Sequence, residues 1–464
     1  MQSFDVAIVG AGAAGMSAAV RLSQERLKVL VLDEGSSPGG QIWRAVDRAH
    51  APQAIEALGP DYRSGLDLVK RFRSSGIDYR PCSTVWHVDR GTTIFFHREG
   101  KSSAVDAAAL IIATGAQERP CPFPGWTLPG VMTVGAAQIL AKTSNQIPES
   151  PVCIAGSGPL VLLYATQLLA MGGSIRTLLD TSPVIPLWQK ARHLPKAVAA
   201  SRDILKGMRW MRTLKQSSAE WVRDVRKLRA EGDGRLERVH YTTSQGSSGT
   251  VDTGILLVHE GVVPNLQLTM LLDCDQAWDD AQRCFVPIVD AWGETSAPGI
   301  FVAGDGAGIK GAKAACLSGE IAALAAMRFL GRVSVEAAER EGIDLRQRWR
   351  RETRLRPLLD LLYAPHLGGT LPSDETMVCR CEAVTAGAIR EAAGIGKSDP
   401  NKVKAATRAG MGPCQGRQCG YTVGRILEES GDAQSHTDLF RIRSPLKPIT
   451  MGELASLNDA EGET

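Results

Sequence analysis

Four of the ten cysteines fall in two short stretches, CRCE at residues 379–382 and CQGRQC at residues 414–419. Cys379 and Cys381 have one residue between them; Cys414 and Cys419 have four. Four thiolates suit zinc or an iron–sulfur cluster. Structural zinc commonly takes two C-x2-C knuckles, and this spacing departs from that while reaching around a larger two-iron cluster. A two-iron cluster is the favoured reading, with zinc and unligated thiols as alternatives. Gly410, Gly412, Gly416 and Gly420 leave backbone amides free to face the sulfides and offset negative charge. Two short helices must bring the pairs together. One starts after Thr385 as N-cap; the other is capped by Ser398 or Asp399, has Pro400 in its first turn and Gly410 beyond its end. Cys153, Cys274, Cys284 and Cys316 are scattered and read as core or surface thiols.

The front of the chain carries a different chemistry. FDVAIV at residues 4–9 reads as a buried strand, followed at once by GAGAAG at 10–15 and a helical segment. Gly10 allows the tight turn, Gly12 lets the backbone approach a pyrophosphate, and Gly15 lets helix and strand pack. The phosphates would rest on the helix N-terminus, beside Ala13 and Ala14, where free amides and the dipole favour anions. A second strand ends at Asp33–Glu34, where an acid can accept hydrogen bonds from an adenosine ribose.

Further stretches resemble those of flavoproteins with two dinucleotide domains, the thioredoxin-reductase-like group. AALIIATGA at 108–116 resembles the segment returning to the FAD domain, with Ala113, Thr114 and Gly115 at its core. TSAPGIFVAGDGAG at 295–308 resembles the late motif in which Gly304 precedes the acid that contacts the ribityl chain, here Asp305. SPGGQIWR at 37–44 resembles the loop that crosses the flavin, which implicates Gly39, Gly40 and Gln41. STVWHV fits the strand whose backbone near Val85 meets the adenine. A helix starting near Ala312 and Lys313 would aim its amides, as far as Ala314, at the pyrimidine end of reduced flavin. The resemblance implies FAD.

The pattern repeats in VCIAGSGPLVLLYATQLLAMGG, where Gly156 and Gly158 match the first two glycines but Val161 stands at the third. A β-branched residue there should hold the helix off the strand and crowd a pyrophosphate. Asp180 ends the next strand and can still hold a ribose. The fold reads as retained and its nicotinamide role as doubtful. An adenine nucleotide without redox function, an empty structural domain and NAD(P)H stay open as occupancies. His259, in HEGVVPN, reads as a structural rather than a catalytic histidine. No C-x2-C occurs in this half, which disfavours disulfide reduction.

Residues 377–420 resemble the bacterioferritin-associated-ferredoxin-like [2Fe–2S] domain. The order of flavin domain, altered second nucleotide domain and [2Fe–2S] segment resembles the A (alpha) subunits of heteromeric bacterial amino-acid dehydrogenases. That family includes opine (octopine or nopaline) oxidases, hydroxyproline dehydrogenases and hydrogen cyanide synthase. ATGAQERP, HEGVVPN, CRCE, GMGPCQGRQCG and PLKPITMGELA carry the resemblance. It implies Cys379, Cys381, Cys414 and Cys419 as cluster ligands. It also implies a beta subunit of glycine-oxidase or D-amino-acid-oxidase type, optionally a small gamma subunit, and FMN at the interface. The beta subunit would oxidise the C–N bond of a small-molecule substrate. Electrons would pass through flavin and iron–sulfur to a quinone or dye acceptor. No catalytic acid–base pair is identifiable in this chain. The alternative is a self-contained NAD(P)H-dependent flavin/iron–sulfur reductase.

The implied architecture is α/β: a two-dinucleotide-domain Rossmann-like flavoprotein followed by a small α-rich [2Fe–2S] domain. With 464 residues, several cores are expected. Residues 1–125 and 280–332 are assigned to the FAD domain and 126–279 to the second nucleotide domain. A helical connector at 333–370, the cluster domain at 371–445 and a tail at 446–464 follow. A net charge of +3 without a dense basic block argues against nucleic acid. The basic run RQRWRRETRLR at 346–356 reads as the solvated face of a linking helix in preference to a docking or membrane-surface patch. No membrane span or basic leader is evident. The expected location is cytoplasmic, with peripheral attachment to the inner membrane as the variant.

Overall fold

The computed structural model describes residues 1–48, 52–89, 93–192, 201–366, 371–395, 399–429 and 439–459. Ser398, residues 367–370 of the expected connector and residues 460–464 of the expected tail lie outside them. Strand β1 (Gln2–Val9) shows why a fully apolar strand belongs at a sheet centre. Val6 and Ile8 enter one core; Phe4, Ala7 and Val9 enter another on the opposite face. β1 pairs in parallel with β2 (Val29–Leu32) and with β6 (Lys101–Ile112). β3 (Asp78–Arg80) extends the parallel part, while β4 (Thr84–Val88) and β5 (Thr93–Arg98) form an antiparallel meander on β6. The far end of β6 pairs in parallel with strand Ile300–Val302. Helices Ala13–Ser23 and Ala312–Phe329 pack against each other over this sheet so closely that a Cβ on Gly319 would lie 2.1 Å from the Ala14 carbonyl oxygen.

A two-stranded ribbon, β7 (Ala116–Glu118) with Val262–Pro264, carries the chain to the second domain and back. That domain holds a five-stranded parallel sheet in the order 220–222, 175–180, 152–157, 256–260, 131–133. An antiparallel sheet of Val225–Glu231, Arg238–Thr243 and Ser248–Asp252 stands beside it. The return to the first domain comes earlier than residue 280, because Leu268, Leu272 and Cys274 already pack with Phe4, Leu30 and Val302.

Helices Val335–Thr353 and Arg356–Leu362 form the connector. Within its basic run, Arg346 pairs with Glu339 at 2.8 Å and covers the Trp292 ring at 4.3 Å, and Arg356 bonds Asp360 at 2.7 Å. In the cluster domain, the hairpin Met377–Cys379/Val384–Thr385 packs on helices Ala386–Gly394, Pro400–Thr407 and Gly420–Glu429 around Val378, Ile389, Val403, Val423 and Phe440. Thr385 accepts the Ala388 amide and Asp399 the Asn401 amide, which makes both residues N-caps. The left-handed position ending the second helix is Arg408 (φ +67°), two residues before Gly410.

The last segment is not a loose tail. Phe440 enters the cluster-domain core, Leu446 enters the core of the first domain, and helix Met451–Asp459 lies on β6. The Leu446 amide bonds the Trp86 carbonyl on β4 at 2.7 Å, and Ser102 donates its amide to Ser456 Oγ at 2.8 Å.

Candidate flavin and iron–sulfur centres

The first glycine loop is built by close approach. A Cβ on Gly15 would lie 1.8 Å from the Gly10 carbonyl oxygen, and one on Gly10 (φ +107°) would lie 2.4 Å from the Ala113 carbonyl oxygen. Gly10, Gly15 and Ala113 thus bring the loop, its helix and the end of β6 together. Gly39 donates its amide to the Ala11 carbonyl at 2.8 Å, and a Cβ on Gly40 would lie 2.9 Å from the Gly12 Cα. The Gly39–Gln41 loop therefore lies across the glycine loop. A Cβ on Gly12 would meet nothing nearer than 3.8 Å, and Gly115 and Gly311 face open space. These three open faces belong to the loops that would cradle an extended dinucleotide.

The carboxylate oxygens of Asp33 accept the Ala11 and Gly35 amides. Burial pushes its acid up and the two amides oppose this. Asp33 thus fixes the loop, and each oxygen keeps a lone pair for a ribose hydroxyl. Glu34 is paired with Lys447 of the C-terminal arm at 2.9 Å. The amides of Cys82 and Ser83 bond the carbonyls of Gly35 and Asp33, which sets Val85 on β4 beside the same acid. Asn265 of the ribbon donates Nδ2 to the Thr114 carbonyl at 2.9 Å. Asp305 follows Gly304 in a single 3-10 turn and accepts the amides of Lys310 and Gly311 at 2.8 and 3.0 Å. Helix Ala312–Phe329 starts without a side-chain cap, so the first-turn amides of Ala312, Lys313 and Ala314 meet no capping oxygen. An anion-accepting helix terminus therefore ends the cradle.

One residue there is not legible in the sequence. Lys142, 3% exposed, donates to the carbonyls of Gln41 and Ile42 at 3.0 and 2.9 Å and to Gln138 Oε1 at 2.8 Å. Gln138 bonds Gln167, which bonds the Leu58 carbonyl. This buried chain ties the 39–42 loop to the second domain. Burial, then the nearby Arg44, pulls the Lys142 ammonium down to about 7.

At the second glycine loop, a Cβ on Gly156 would lie 2.0 Å from the His259 carbonyl oxygen, so strand and loop contact as in the first domain. Val161 is buried in the helix Pro159–Ala170 and lines a cavity of about 60 Å³ with Gly158, Asp180, Trp221 and Tyr363. That is room for a few waters, and a dinucleotide needs far more. Asp180 accepts the Ser182 amide at 2.9 Å and Trp221 Nε1 at 3.4 Å. His259 is 5% exposed, and its Nδ1 lies 2.7 Å from Glu118 Oε1, whose other oxygen accepts the Gly135 amide. It is a buried brace between ribbon and domain.

The hairpin turn brings Cys379 and Cys381 to the loop that carries Cys414 and Cys419. The free thiols face each other in two hydrogen-bonded pairs, Cys379 with Cys419 and Cys381 with Cys414. The amides of Gly410, Glu382 and Cys381 point at Cys379 Sγ and that of Cys414 at Cys381 Sγ. The bond from Cys419 leads these donors and, against the cost of burial, holds Cys379 down to about 5; the same bond pushes Cys419 far up. Cys419 accepts the Val423 amide at its carbonyl, which places it at the N-terminus of helix Gly420–Glu429. Cys379 and Cys419 are buried while Cys381 is exposed. Two neighbouring thiol pairs with amides aimed at sulfur fit a [2Fe–2S] cluster, which takes two thiolates at each iron. The glycines have a second cause that the sequence does not disclose. Cβ atoms on Gly410, Gly416 and Gly420 would press into the Phe440 ring at 2.7, 2.6 and 3.2 Å, and one on Gly412 would lie 2.3 Å from Cys381 Cβ.

The cluster domain is docked on the ribbon. Gln117 Nε2 bonds the Arg417 carbonyl at 2.8 Å, and Trp126 Nε1 the Met377 carbonyl at 2.7 Å. Tyr421 lies between the Arg119 guanidinium, 4.8 Å from its ring centre, and Trp278, stacked at 6.4 Å. Arg119 is itself fixed by the carbonyls of Glu260, Arg283 and Gln282.

Residues 4–319 match the pyridine nucleotide-disulphide oxidoreductase family and residues 377–429 the BFD-like [2Fe-2S] binding domain. The chain is 43% identical to the opine oxidase A subunit of Rhizobium meliloti over 98% of its own length and 88% of that protein's. It is 33% identical to the HcnB subunit of hydrogen cyanide synthase from Pseudomonas aeruginosa, over 97% and 98% of the two chains. In three dimensions, L-proline dehydrogenase from P. horikoshii shares the fold with a TM-score of 0.71 at 20% identity, covering 97% of this chain and 79% of that one.

Proposed function

The chain belongs to the family of opine oxidase A subunits, and from that premise we propose that it is the electron-transferring alpha subunit of a heteromeric opine or imino-acid dehydrogenase. It is an oxidoreductase subunit of amino-acid dehydrogenase type with an FAD-binding pyridine nucleotide-disulphide oxidoreductase domain and a [2Fe–2S] domain. The observation that carries the proposal is the docking of the cluster domain on the ribbon that also closes the flavin cradle, in a chain alike end to end with subunits of such complexes. Oxidation of a C–N bond, such as that of octopine or nopaline, would take place in a beta subunit of glycine-oxidase or D-amino-acid-oxidase type. FMN at the interface between the two chains would receive the electrons and a quinone or dye would take them up.

When bound, FAD and the cluster supply two-electron and one-electron chemistry. The protein's share is positional. Gly10, Gly12, Ala13, Ala14 and Gly15 cradle the pyrophosphate; Asp33, Glu34 and Val85 face the adenosine. Gly39, Gly40 and Gln41 cross the flavin, Ala113, Thr114 and Gly115 line it, and Gly304, Asp305, Ala312 and Lys313 close its far end. Cys379, Cys381, Cys414 and Cys419 hold the cluster. In the second domain, the tight cavity beside Val161 speaks against NAD(P)H and hence against the self-contained reductase. An adenine nucleotide there would have to enlarge the cavity that Tyr363 and Trp221 help to line. No helix among the described residues is long and apolar enough to cross a membrane, so any attachment to the inner membrane is peripheral in this reading.

The test is expression of the chain alone and with the products of neighbouring open reading frames. Alone, it should bind FAD and iron but reduce little dye with octopine, nopaline, hydroxyproline, sarcosine or glycine. Turnover with one of these should appear on adding the partner. Robust dye-linked turnover by the single chain would sink the proposal, and rapid flavin bleaching by NADH or NADPH would favour the reductase.

A further inference from the structure

Arg417 lies between the ligands Cys414 and Cys419, and none of the sequence motifs gives it a role. Its guanidinium donates to the Cys414 carbonyl at 3.0 Å and to the Leu446 carbonyl at 2.8 Å, on the arm whose next residue, Lys447, pairs with Glu34. Its own carbonyl accepts Gln117 Nε2 from the ribbon at 2.8 Å. One residue thus joins the cluster loop, the C-terminal arm and the flavin domain. The planar fork suits this place, because two carbonyls in different segments are held by one rigid group. The charge is half-buried, and burial opposes it while Glu34 and Cys414 favour it.

We propose that Arg417 is a positioning residue that clamps the cluster loop to the flavin domain and whose charge raises the cluster's reduction potential. The inference rests on the reading of these two centres as one electron path. A two-iron core held by four thiolates is negative and becomes more so by one charge on reduction, from its 2+ to its 1+ core. A fixed guanidinium beside the loop stabilises the reduced form most. Each transfer removes one electron from reduced flavin and adds it to the cluster; the flavin protons pass to solvent and no bond in the protein is made or broken.

The experiment uses the full chain, purified without oxygen and carrying both cofactors, as wild type, R417K, R417Q and Q117L. Cluster potential is read by electron paramagnetic resonance during reductive titration, and electron redistribution by following the cluster after photoreduction of the flavin. Tryptic release of the cluster domain is timed on apo-chain. R417Q should shift the potential downward, slow redistribution severalfold and speed tryptic release. R417K should restore the potential but not the clamp, since one ammonium cannot span both carbonyls in a fixed plane. Q117L should keep the potential and loosen the docking. Wild-type potential in R417Q, or an equal downward shift in R417K and R417Q, overturns the electrostatic role. Wild-type redistribution and release in both R417K and Q117L overturn the clamp, and these two variants decide it even if R417Q loses iron. Neither result depends on a second chain or an amino-acid substrate, so failure here is distinct from failure of the functional reading.

Discussion

Replacing Lys142 by Met tests the strut between the 39–42 loop and the second domain. The substitution keeps length and removes one nitrogen that donates to Gln41, Ile42 and Gln138 within 3.0 Å. Three acceptors then lose their donor: Gln138 Oε1 in a buried place, and the Gln41 and Ile42 carbonyls in a partly buried one. At about 1–3 kcal/mol for the buried acceptor and less for the two that water can reach, minus the relief of no longer burying an ammonium, the net cost is about 2 kcal/mol. Urea-induced loss of bound flavin, followed by fluorescence together with circular dichroism, measures it. The pH dependence has a definite sign. Burial holds the folded-state pKa at about 7, against about 10.4 for an unfolded lysine. Between these values the unfolded chain binds more protons, so wild-type stability rises with pH through the window, by up to about 1.4 kcal/mol per unit. The variant lacks that slope, and the gap between the two proteins should widen from pH 7 to pH 9. A cost under about 1 kcal/mol at pH 7 would mean that Lys142 is no strut. A gap that stays level or narrows would mean that the three acceptors hold the proton against burial.

Gly15→Val copies the second domain's Val161 into the first; with its Cβ 1.8 Å from the Gly10 carbonyl oxygen, it should abolish FAD retention, as read by the flavin spectrum after gel filtration. Cys414→Ser should abolish the iron–sulfur absorbance and resonance signal while the flavin spectrum persists; retained iron in a ferredoxin-like spectrum would remove Cys414 from the ligand set. Phe440→Ala empties the space against Gly410, Gly416 and Gly420 and should destabilise the cluster domain by about 3–5 kcal/mol, seen as faster iron loss to a chelator. His259→Ala strands Glu118 and should cost about 1–3 kcal/mol in urea, with dye-linked turnover of the assembled complex kept within about threefold. A hundredfold or greater loss would restore a catalytic role to His259.

Features encoded by local pattern are legible in the sequence. The first glycine loop, the end of β6 and the 304–311 turn are contiguous motifs whose backbone demands show in glycine spacing. Thr385 and Asp399 are readable as caps because capping acts within three residues. Val161 stands out because its counterpart, Gly15, has no room for a Cβ. What escapes depends on residues far apart in the chain. Nothing near Gly410 announces Phe440, nothing near Glu34 announces Lys447, and Lys142 looks like any helix-end lysine until Gln41 and Ile42 are brought over it. Helix Gln267–Leu271 lies before the expected boundary at residue 280, yet Leu268 packs with Phe4, Leu30 and Val302, a partnership that local pattern does not disclose.

The pairing of Glu34 with Lys447 spans 413 positions, and Leu446 fills the core face whose strands begin at residue 2. During synthesis the nucleotide-binding sheet must wait for this segment with its β4 edge bare. An unpaired strand edge is a template for wrong partners. The intervening second domain, inserted through one ribbon, can fold in the meantime without touching that edge.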